Sequence, residues 1–123
     1  MRSNQNNSIK EVREIASAYT SWLRLANSTK SPETVKTYET SINLYMKFIE
    51  EVKKINHHTF CSEKVFSIGT INEWLEYLNL KRGCSPQTCN IRLSALRAFL
   101  GYLGNKNIRY KSTLYDAKTI EKR

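Results

Sequence analysis

S-P-Q-T-C-N-I-R-L-S-A-L-R-A-F-L-G-Y-L, residues 85 to 103, is the stretch that decides the fold of this chain. Ser85 is a favourable N-cap, Pro86 suits the first helical turn because its missing N–H would be unpaired there anyway, and Gly104 offers a left-handed stop. The spacing predicts one helix. At about 100° per residue, its apolar face carries Leu93, Leu96, Phe99, Leu100 and Leu103, and the flanks of this face carry Ile91, Ala95, Ala98 and Tyr102.

The rest of this helix is a narrow polar stripe. It comprises Gln87, Asn90, Ser94 and Arg97, with Gly101 at its far end, where a partner could approach the backbone closely. Gln, Asn and Arg side chains can make paired hydrogen bonds to purine edges in the major groove of DNA. A central core helix with an ordinary solvated strip explains the same pattern, and the helix taken alone favours that simpler interpretation.

The charge pattern favours a polyanionic partner. No acidic residue lies between Glu76 and Asp116, and the whole chain carries a formal net charge of +9 with an isoelectric point near 9.6. A surface that only needs to be soluble usually mixes both signs, so a block of one sign indicates nucleic acid and, less strongly, an anionic membrane surface. The basic residues of this interval are Lys81, Arg82, Arg92, Arg97, Lys106, Arg109 and Lys111.

The remaining composition indicates one compact domain. A chain of 123 residues that is 40% hydrophobic suits a single modest core. No segment has the length of an apolar membrane span or a secretory signal, so we expect a soluble, cytoplasmic protein with no membrane partner. Cys61, Cys84 and Cys89 have the spacing of neither a disulfide framework nor a zinc site, so we expect a reducing compartment, no metal and no cofactor.

Further helices are predicted before residue 85. Residues 1–8 are polar and Asn-rich and are predicted to form a flexible tail, and apolar residues at three- and four-residue steps then predict a helix from Ile9 to about Asn27. Ser31 and Pro32 begin a second helix, the longest in the chain. Residues 56–69 are predicted to be a mixed loop whose apolar side chains cover the core: Phe60, Val65, Phe66 and Ile68.

A third helix is predicted to begin at a capping box, Thr70-Ile71-Asn72-Glu73, and to stop at Gly83. Lys81 and Arg82 complement the negative end of the dipole of this helix, which explains them as well as contact with DNA does. Residues 9–104 are then the helical domain, and residues 105–123 are a short C-terminal helix and linker.

The start signal of the helix at Ser85 is repeated. S-P-E-T at Ser31 and S-P-Q-T at Ser85 lie 54 residues apart (85 − 31), and the apolar residues that follow have matching offsets. Two copies at this distance suit two helical hairpins stacked on each other. Each helix start could hold a DNA phosphate with its free N–H groups and hydroxyls, although capping alone also explains both serines.

These residues carry a resemblance to a known family. T-V-K-T-Y-E-T-S-I-N-L-Y-M-K-F-I-E from Thr34, and W-L-E-Y-L-N-L-K-R-G-C-S-P-Q-T-C-N-I-R-L-S-A-L-R-A-F-L-G-Y-L from Trp74, resemble the core-binding domain of tyrosine recombinases of the phage-integrase family. The resemblance covers residues from about Ile9 to Ile120. It implies an all-α, SAM-like bundle of four or five helices in two packed hairpins.

The resemblance also implies a DNA-binding role. In this family the domain clamps one face of the recombination-site duplex during integration or excision of a mobile element. The resemblance assigns DNA contact to Thr34, Lys36, Thr88, Asn90, Arg92 and Arg97, although the helical wheel places Arg92 near the apolar side of its helix. With the helix starts, the polar stripe and the basic block, the predicted contact set is Ser31, Thr34, Lys36, Lys81, Arg82, Ser85, Gln87, Thr88, Asn90, Arg92, Ser94, Arg97, Lys106, Arg109 and Lys111.

The chemistry of the family resides in a separate domain, which supplies a tyrosine nucleophile, two arginines and Lys and His groups. No H-x-x-R run occurs here, and four tyrosines are predicted to be core residues with a wet hydroxyl, so we predict a binding domain without catalysis: Tyr19, Tyr38, Tyr45 and Tyr102. The expected partners are double-stranded DNA, the catalytic domain of the parent recombinase and, through residues 105–123, a neighbouring protomer.

Two other functions remain open at this point. A stand-alone regulator with a helix-turn-helix would also be basic and helical, and the tight connection at Gly83 and Cys84 is compatible with one. A helical protein-interaction module could instead present the basic block to an acidic protein. DNA binding that falls steeply with salt would favour the recombinase domain or the regulator. DNA binding that is absent or insensitive to salt would favour the protein-interaction module.

Overall fold

The structure, a computed structural model, describes the backbone of residues 2–123 and the side chains of residues 7–123. Six α-helices and one 3-10 helix form this part of the chain, which contains no strand, and the all-α prediction is confirmed. The helices are α1 (Arg2–Thr29), α2 (Pro32–Glu51), α3 (Ser62–Val65), α4 (Ile68–Leu80), α5 (Pro86–Lys106) and α6 (Lys111–Lys118), with the 3-10 helix at Ile108–Tyr110.

Helix α5 lies at the centre of the bundle. It packs against α1, α2, α4 and α6, and all five residues of its predicted apolar face are buried. On one side Trp22 of α1 stacks on Tyr38 of α2 with ring centroids 4.5 Å apart and lies 5.2 Å from the ring of Phe99. Burial of these large apolar surfaces is the main force that holds the helices together.

Two helices begin earlier than predicted. Helix α1 begins at Arg2 rather than Ile9, because nothing in the polar segment before Ile9 breaks a helix, and Met1 lies outside the described residues. Helix α4 begins at Ile68, because Ser67, not Thr70, is its N-cap and accepts a hydrogen bond from the Thr70 N–H. The predicted capping box is therefore wrong, and Glu73 instead forms an ion pair with Lys53 at 2.7 Å.

Helix α5 continues past its predicted stop. Gly104 is buried inside the helix, which ends at Lys106. A Cβ at Gly104 would lie 3.0 Å from Leu114 Cβ and 3.3 Å from the Tyr110 carbonyl oxygen. The glycine therefore allows the C-terminal segment to approach the backbone of α5, and it does not terminate the helix.

The segment between α2 and α4 covers the core as predicted, with one short helix in it. Phe60, Val65 and Phe66 are buried, and the Tyr45 hydroxyl of α2 donates to the Val65 carbonyl. Ile68 was expected to join this cover, but it is 39% exposed because the first turn of α4 turns it outward. Tyr45 is completely buried, so the prediction of a wet hydroxyl is wrong for this residue.

Helices α2 and α4 end in the same way, with one residue in the left-handed region. This residue is Lys54 (φ 59°) after α2 and Gly83 (φ 68°) after α4, which confirms the predicted stop at Gly83. In both cases the next backbone N–H, of Ile55 or Cys84, donates to a carbonyl in the last turns of the helix at 3.1 and 2.9 Å. The left-handed conformation costs a non-glycine residue about 1–2 kcal/mol.

We therefore expect Lys54→Gly to raise the free energy of unfolding by up to about 1 kcal/mol, and Gly83→Ala to lower it by about 1 kcal/mol. Urea unfolding of the two variants and the parent chain measures both changes. Lys81→Gly is the matched control, because Lys81 has an ordinary right-handed conformation (φ −100°) and glycine should destabilise it. A destabilised Lys54→Gly variant would show that strain at Lys54 is negligible.

The C-terminal segment is fastened to α1 by a polar cluster. The Tyr110 hydroxyl donates to Glu14 Oε1 at 2.6 Å, and the Arg109 guanidinium pairs with Glu11 at 3.2 Å and Glu14 at 3.4 Å. The other Glu11 oxygen accepts the backbone N–H of Ser62 at 2.9 Å. Burial, followed by the hydrogen bond to Glu14, raises the pKa of Tyr110.

A raised pKa means that the folded state favours the protonated phenol. The stability that Tyr110 contributes should be complete below its ordinary pKa of 10.0 and be lost as the pH rises further. Tyr110→Phe should be less stable by about 1–2 kcal/mol near neutral pH and should lose less stability than the parent chain at high pH. Urea unfolding at about pH 9 and about pH 11 tests this, with exposed Tyr115→Phe as control; equal alkaline losses in parent and Tyr110→Phe would contradict it.

Candidate nucleic-acid interface

Three helices begin with the same pair of hydroxyls. In each, a serine Oγ accepts the backbone N–H of a threonine three residues later at 3.2 Å. The same serine hydroxyl donates to the threonine Oγ1, at 3.0, 2.9 and 3.2 Å in chain order. The pairs are Ser31–Thr34, Ser67–Thr70 and Ser85–Thr88, so the predicted caps at Ser31 and Ser85 are confirmed and sequence analysis missed the one at Ser67.

The three threonine hydroxyls differ in what they can still bind. The Thr70 hydroxyl donates to the Lys64 carbonyl at 2.8 Å. Within the described residues, no acceptor takes the hydroxyl protons of Thr34 and Thr88, which are both half-buried at the surface. These two hydroxyls, at the positive ends of α2 and α5, are available to an external anion.

A shallow groove runs between α2 and α5. We call it the α2–α5 groove, and it is lined by Thr37, Tyr38, Asn90, Ile91, Ser94, Ala95 and Lys122. Ile91 was expected to flank the apolar face, but it is 51% exposed because the core contacts the opposite side of α5. The groove therefore contains Asn90 and Ser94 of the predicted stripe and the exposed Ile91. Its other lining residues were not assigned to the site from the sequence.

The C-terminal segment occupies part of the polar stripe. Asn90 Nδ2 donates to the Arg123 carbonyl at 2.9 Å, and its Oδ1 accepts the Arg123 N–H at 2.6 Å. Arg97 Nε donates to the Ala117 carbonyl at 2.9 Å. Next to the predicted close approach at Gly101 lies Leu114 of the same chain, 3.7 Å from where a Cβ would be.

The stripe and the helix starts also contain exposed residues. Gln87 and Ser94 are exposed on α5, and the same holds for Lys36 on the outer side of α2. Lys81 and Arg82 are exposed directly before the turn that leads to Ser85. The hydroxyls of Ser31 and Ser85 are used for capping, so their exposed side chains contribute mainly by fixing the helix starts.

Arg92 lies where the helical wheel placed it, near the apolar side of α5. Its side chain is half-buried, Nη1 donates to the buried Ser41 hydroxyl at 3.1 Å, and Nε is buried without a partner. No carboxylate among the described residues pairs with this guanidinium. Arg92 therefore places an uncompensated positive charge between α2 and α5.

Most of the positive charge is uncompensated in the same way. Among the described side chains, only Lys53 and Arg109 form ion pairs. The charge pattern of residues 77–115 could not predict the pairing of Arg109, because its partners Glu11 and Glu14 lie almost 100 residues earlier in the chain. Lys106 lies over the Tyr102 ring, 5.5 Å from its centroid, and Lys111 is exposed.

The structure adds four polar residues that sequence analysis missed. Thr37 and Lys122 line the α2–α5 groove, Ser41 holds Arg92, and Arg123 binds Asn90 and also donates through Nη2 to Asn72 Oδ1 at 3.0 Å. Spacing along α2 could have revealed Thr37 and Ser41, because Thr34, Thr37 and Ser41 share one helical face. Nothing local in residues 119–123 signals that they fold back onto α5.

Three tyrosines have a hydroxyl whose pKa is raised. Burial raises the pKa of Tyr45 and of Tyr110, and burial together with the negative charge of Glu39 raises the pKa of Tyr19. These shifts oppose formation of the phenolate that a tyrosine nucleophile requires. Among the described residues, no helix is long and apolar enough to span a bilayer, and no three His, Cys, Asp or Glu side chains cluster as metal ligands would.

Comparison with known proteins identifies the family. Residues 19–109 match the family model described as phage integrase, N-terminal SAM-like domain, which covers about three quarters of the chain. The chain belongs to this family, and the predicted resemblance is confirmed. Neither a search of curated proteins nor a search of solved structures found a match.

Proposed function

We propose that this domain binds double-stranded DNA as the core-binding part of a tyrosine recombinase, clamping the recombination site while a mobile element is integrated or excised. Membership of the integrase SAM-like family supports an integrase role. The observation that carries the DNA-binding proposal is the uncompensated charge: Arg92, Lys81 and Arg82 lie on or beside α5 without acidic partners. A polyanion would neutralise this charge, and a neutral partner would not.

The geometry supports two kinds of DNA contact. Phosphates would be held at the starts of α2 and α5 by the free hydroxyls of Thr34 and Thr88, helped by Lys36, Lys81 and Arg82. Bases would be contacted from α5, where Gln87 can pair with adenine and the exposed Ile91 can meet a thymine methyl group. Phosphate contacts give affinity and register, and the contacts from α5 give sequence preference.

The chemistry of recombination would come from the catalytic domain of the parent protein. A neighbouring protomer would contact residues 105–123, and the protein would act in the cytoplasm where its DNA is. The division of the chain into a tail (residues 1–8), a helical DNA-binding domain (residues 9–104) and a C-terminal helix with linker (residues 105–123) is part of the same proposal.

Salt dependence tests DNA binding directly. A duplex of about 20 base pairs is first enriched by the parent chain from a random-sequence pool, and its Kd is then measured across salt concentrations. Neutralising several phosphates gives a steep fall in affinity, with a slope of about 0.9 per phosphate contact. No enrichment, or affinity that is insensitive to salt, would contradict the proposal and favour a protein-interaction module.

Charge variants locate the interface. The double variant Lys81→Gln/Arg82→Gln should lower the salt slope by about two. The double variant Lys10→Gln/Lys64→Gln is the matched control, because it removes the same charge from exposed residues of α1 and α3. Equal changes in both double variants would mean that only net charge matters and that Lys81 and Arg82 do not contact DNA.

Removing the Thr88 hydroxyl tests whether the start of α5 contacts DNA. Thr88→Val keeps the shape of the side chain and the Ser85 cap but removes the proton donor, so affinity should fall by about 1–2 kcal/mol. Thr70→Val is the control, because its hydroxyl proton is already bound by the Lys64 carbonyl. That control should lower thermal stability and leave affinity for the enriched duplex unchanged. Unchanged affinity in Thr88→Val would remove this hydroxyl from the interface.

A further inference from the structure

The last turn of α6 and the residues after it lie across the polar stripe of α5. We propose that this strap, residues 117–123, is autoinhibitory: it occupies Asn90 and Arg97 in place of DNA and has to move before either side chain can contact a base. The proposal rests on the proposed function of DNA binding. It adds a closed and an open state of the domain, of which the structure shows the closed one.

The hydrogen bonds of Asn90 support the proposal that the strap takes the place of DNA. The carboxamide of Asn90 binds both the N–H and the C=O of Arg123, at 2.6 and 2.9 Å. One donor and one acceptor side by side are also what adenine presents in the major groove through its N6 amino group and N7. The backbone of Arg123 therefore uses the same two atoms of Asn90 that contact with adenine would use, and the two contacts exclude each other.

Arg97 is held by the strap through one of its five guanidinium N–H donors. Its Nε donates to the Ala117 carbonyl at 2.9 Å, in the last turn of α6. Carbonyls at the end of a helix carry partial negative charge, so this acceptor resembles a guanine O6 or a phosphate oxygen in what it offers to a guanidinium. The strap thereby binds one of the two amides of the stripe, Asn90, and its one cation, Arg97.

The strap is held by few contacts. Of residues 117–123, Ala117 and Ile120 are buried, at 1% and 3% exposure, whereas the others are exposed. Outside the stripe, the Arg123 side chain adds one bond to Asn72 at 3.0 Å. The three hydrogen bonds of Arg123 are exposed and the bond from Arg97 to Ala117 is part-buried. A segment with two buried side chains and mostly exposed hydrogen bonds opens at lower cost than the core beneath it.

The charge of the strap favours opening next to DNA. Residues 118–123 contain three basic residues and one acidic residue, and Lys122 lines the α2–α5 groove. A bound duplex would attract Lys118, Lys122 and Arg123 to its phosphates as the strap leaves the stripe. DNA would therefore stabilise the open state, which is the differential interaction that a population shift requires.

Two variants loosen the strap without removing a stripe residue. Ile120→Ala removes its buried anchor, and Asn72→Ala removes the bond to the Arg123 side chain. Because apparent affinity scales with the fraction of molecules in the open state, we expect Kd for the enriched duplex to fall about tenfold and about threefold respectively. Ile108→Ala, at an 83% exposed position outside the strap in the 3-10 helix, is the control and should leave Kd unchanged.

An NMR measurement on the parent chain provides a second readout that does not depend on variant stability. Adding the enriched duplex should lower the heteronuclear NOE of backbone amides 119–123 and shift the Asn90 side-chain amide signals. A rigid strap with unshifted Asn90 signals in the DNA complex would overturn the proposal. Unchanged or weakened binding by both loosened variants would overturn it as well.

These outcomes separate the strap from the proposed function. If the parent chain binds with a steep salt slope but the loosened variants bind no better, the strap is a fixed part of the fold and DNA binding stands. If the parent chain binds with a steep salt slope and both loosened variants bind more tightly, both proposals are supported. If neither the parent chain nor the Ile120→Ala variant enriches a duplex, both proposals fail.

Discussion

Helix α5 is packed against four other helices, and this burial determines which of its polar groups can meet a partner. Its apolar face is used by α1, α2 and α4, and α6 is packed along the far part of its polar stripe. What remains open is the N-terminal half, where Gln87, Thr88 and Ser94 reach the surface. The candidate interface is therefore a consequence of packing: the surface available for binding is the part of α5 that no helix covers.

Sequence patterns predicted where the helices lie along the chain better than they predicted which segments pack against each helix. Helical periodicity and the Ser-Pro starts identified α2 and α5, because these signals are local and their physical cause is local. Starts without proline were less certain: Ser67 caps α4 with the same geometry as Ser31 and Ser85, but a capping-box pattern three residues later obscured it. A hydroxyl can cap a helix wherever the chain geometry allows, and the sequence alone does not rank two candidates this close together.

The features of the site that the sequence could not show have a common cause, which is contact between distant parts of the chain. Arg109 belongs to an unbroken basic block in the sequence, yet Glu11 and Glu14 neutralise it in the fold. Asn90 belongs to a polar stripe that would face solvent on an isolated helix, yet the backbone of Arg123 binds it. Periodicity around one helix cannot show which of its polar residues another segment will cover, because that depends on where the segment folds back.

The cluster around Glu11 has a consequence for the order in which the domain forms. Arg109 and Tyr110 contact α1 across 95 to 98 residues of sequence, so these bonds close a very long loop. Contacts with such separation carry the largest entropic cost of closure and generally form late in folding. During synthesis the N-terminal five helices would be present before residues 109–123 leave the ribosome, and α5 would carry its polar stripe uncovered. Residues 109–123 emerge after these helices and then cover the stripe.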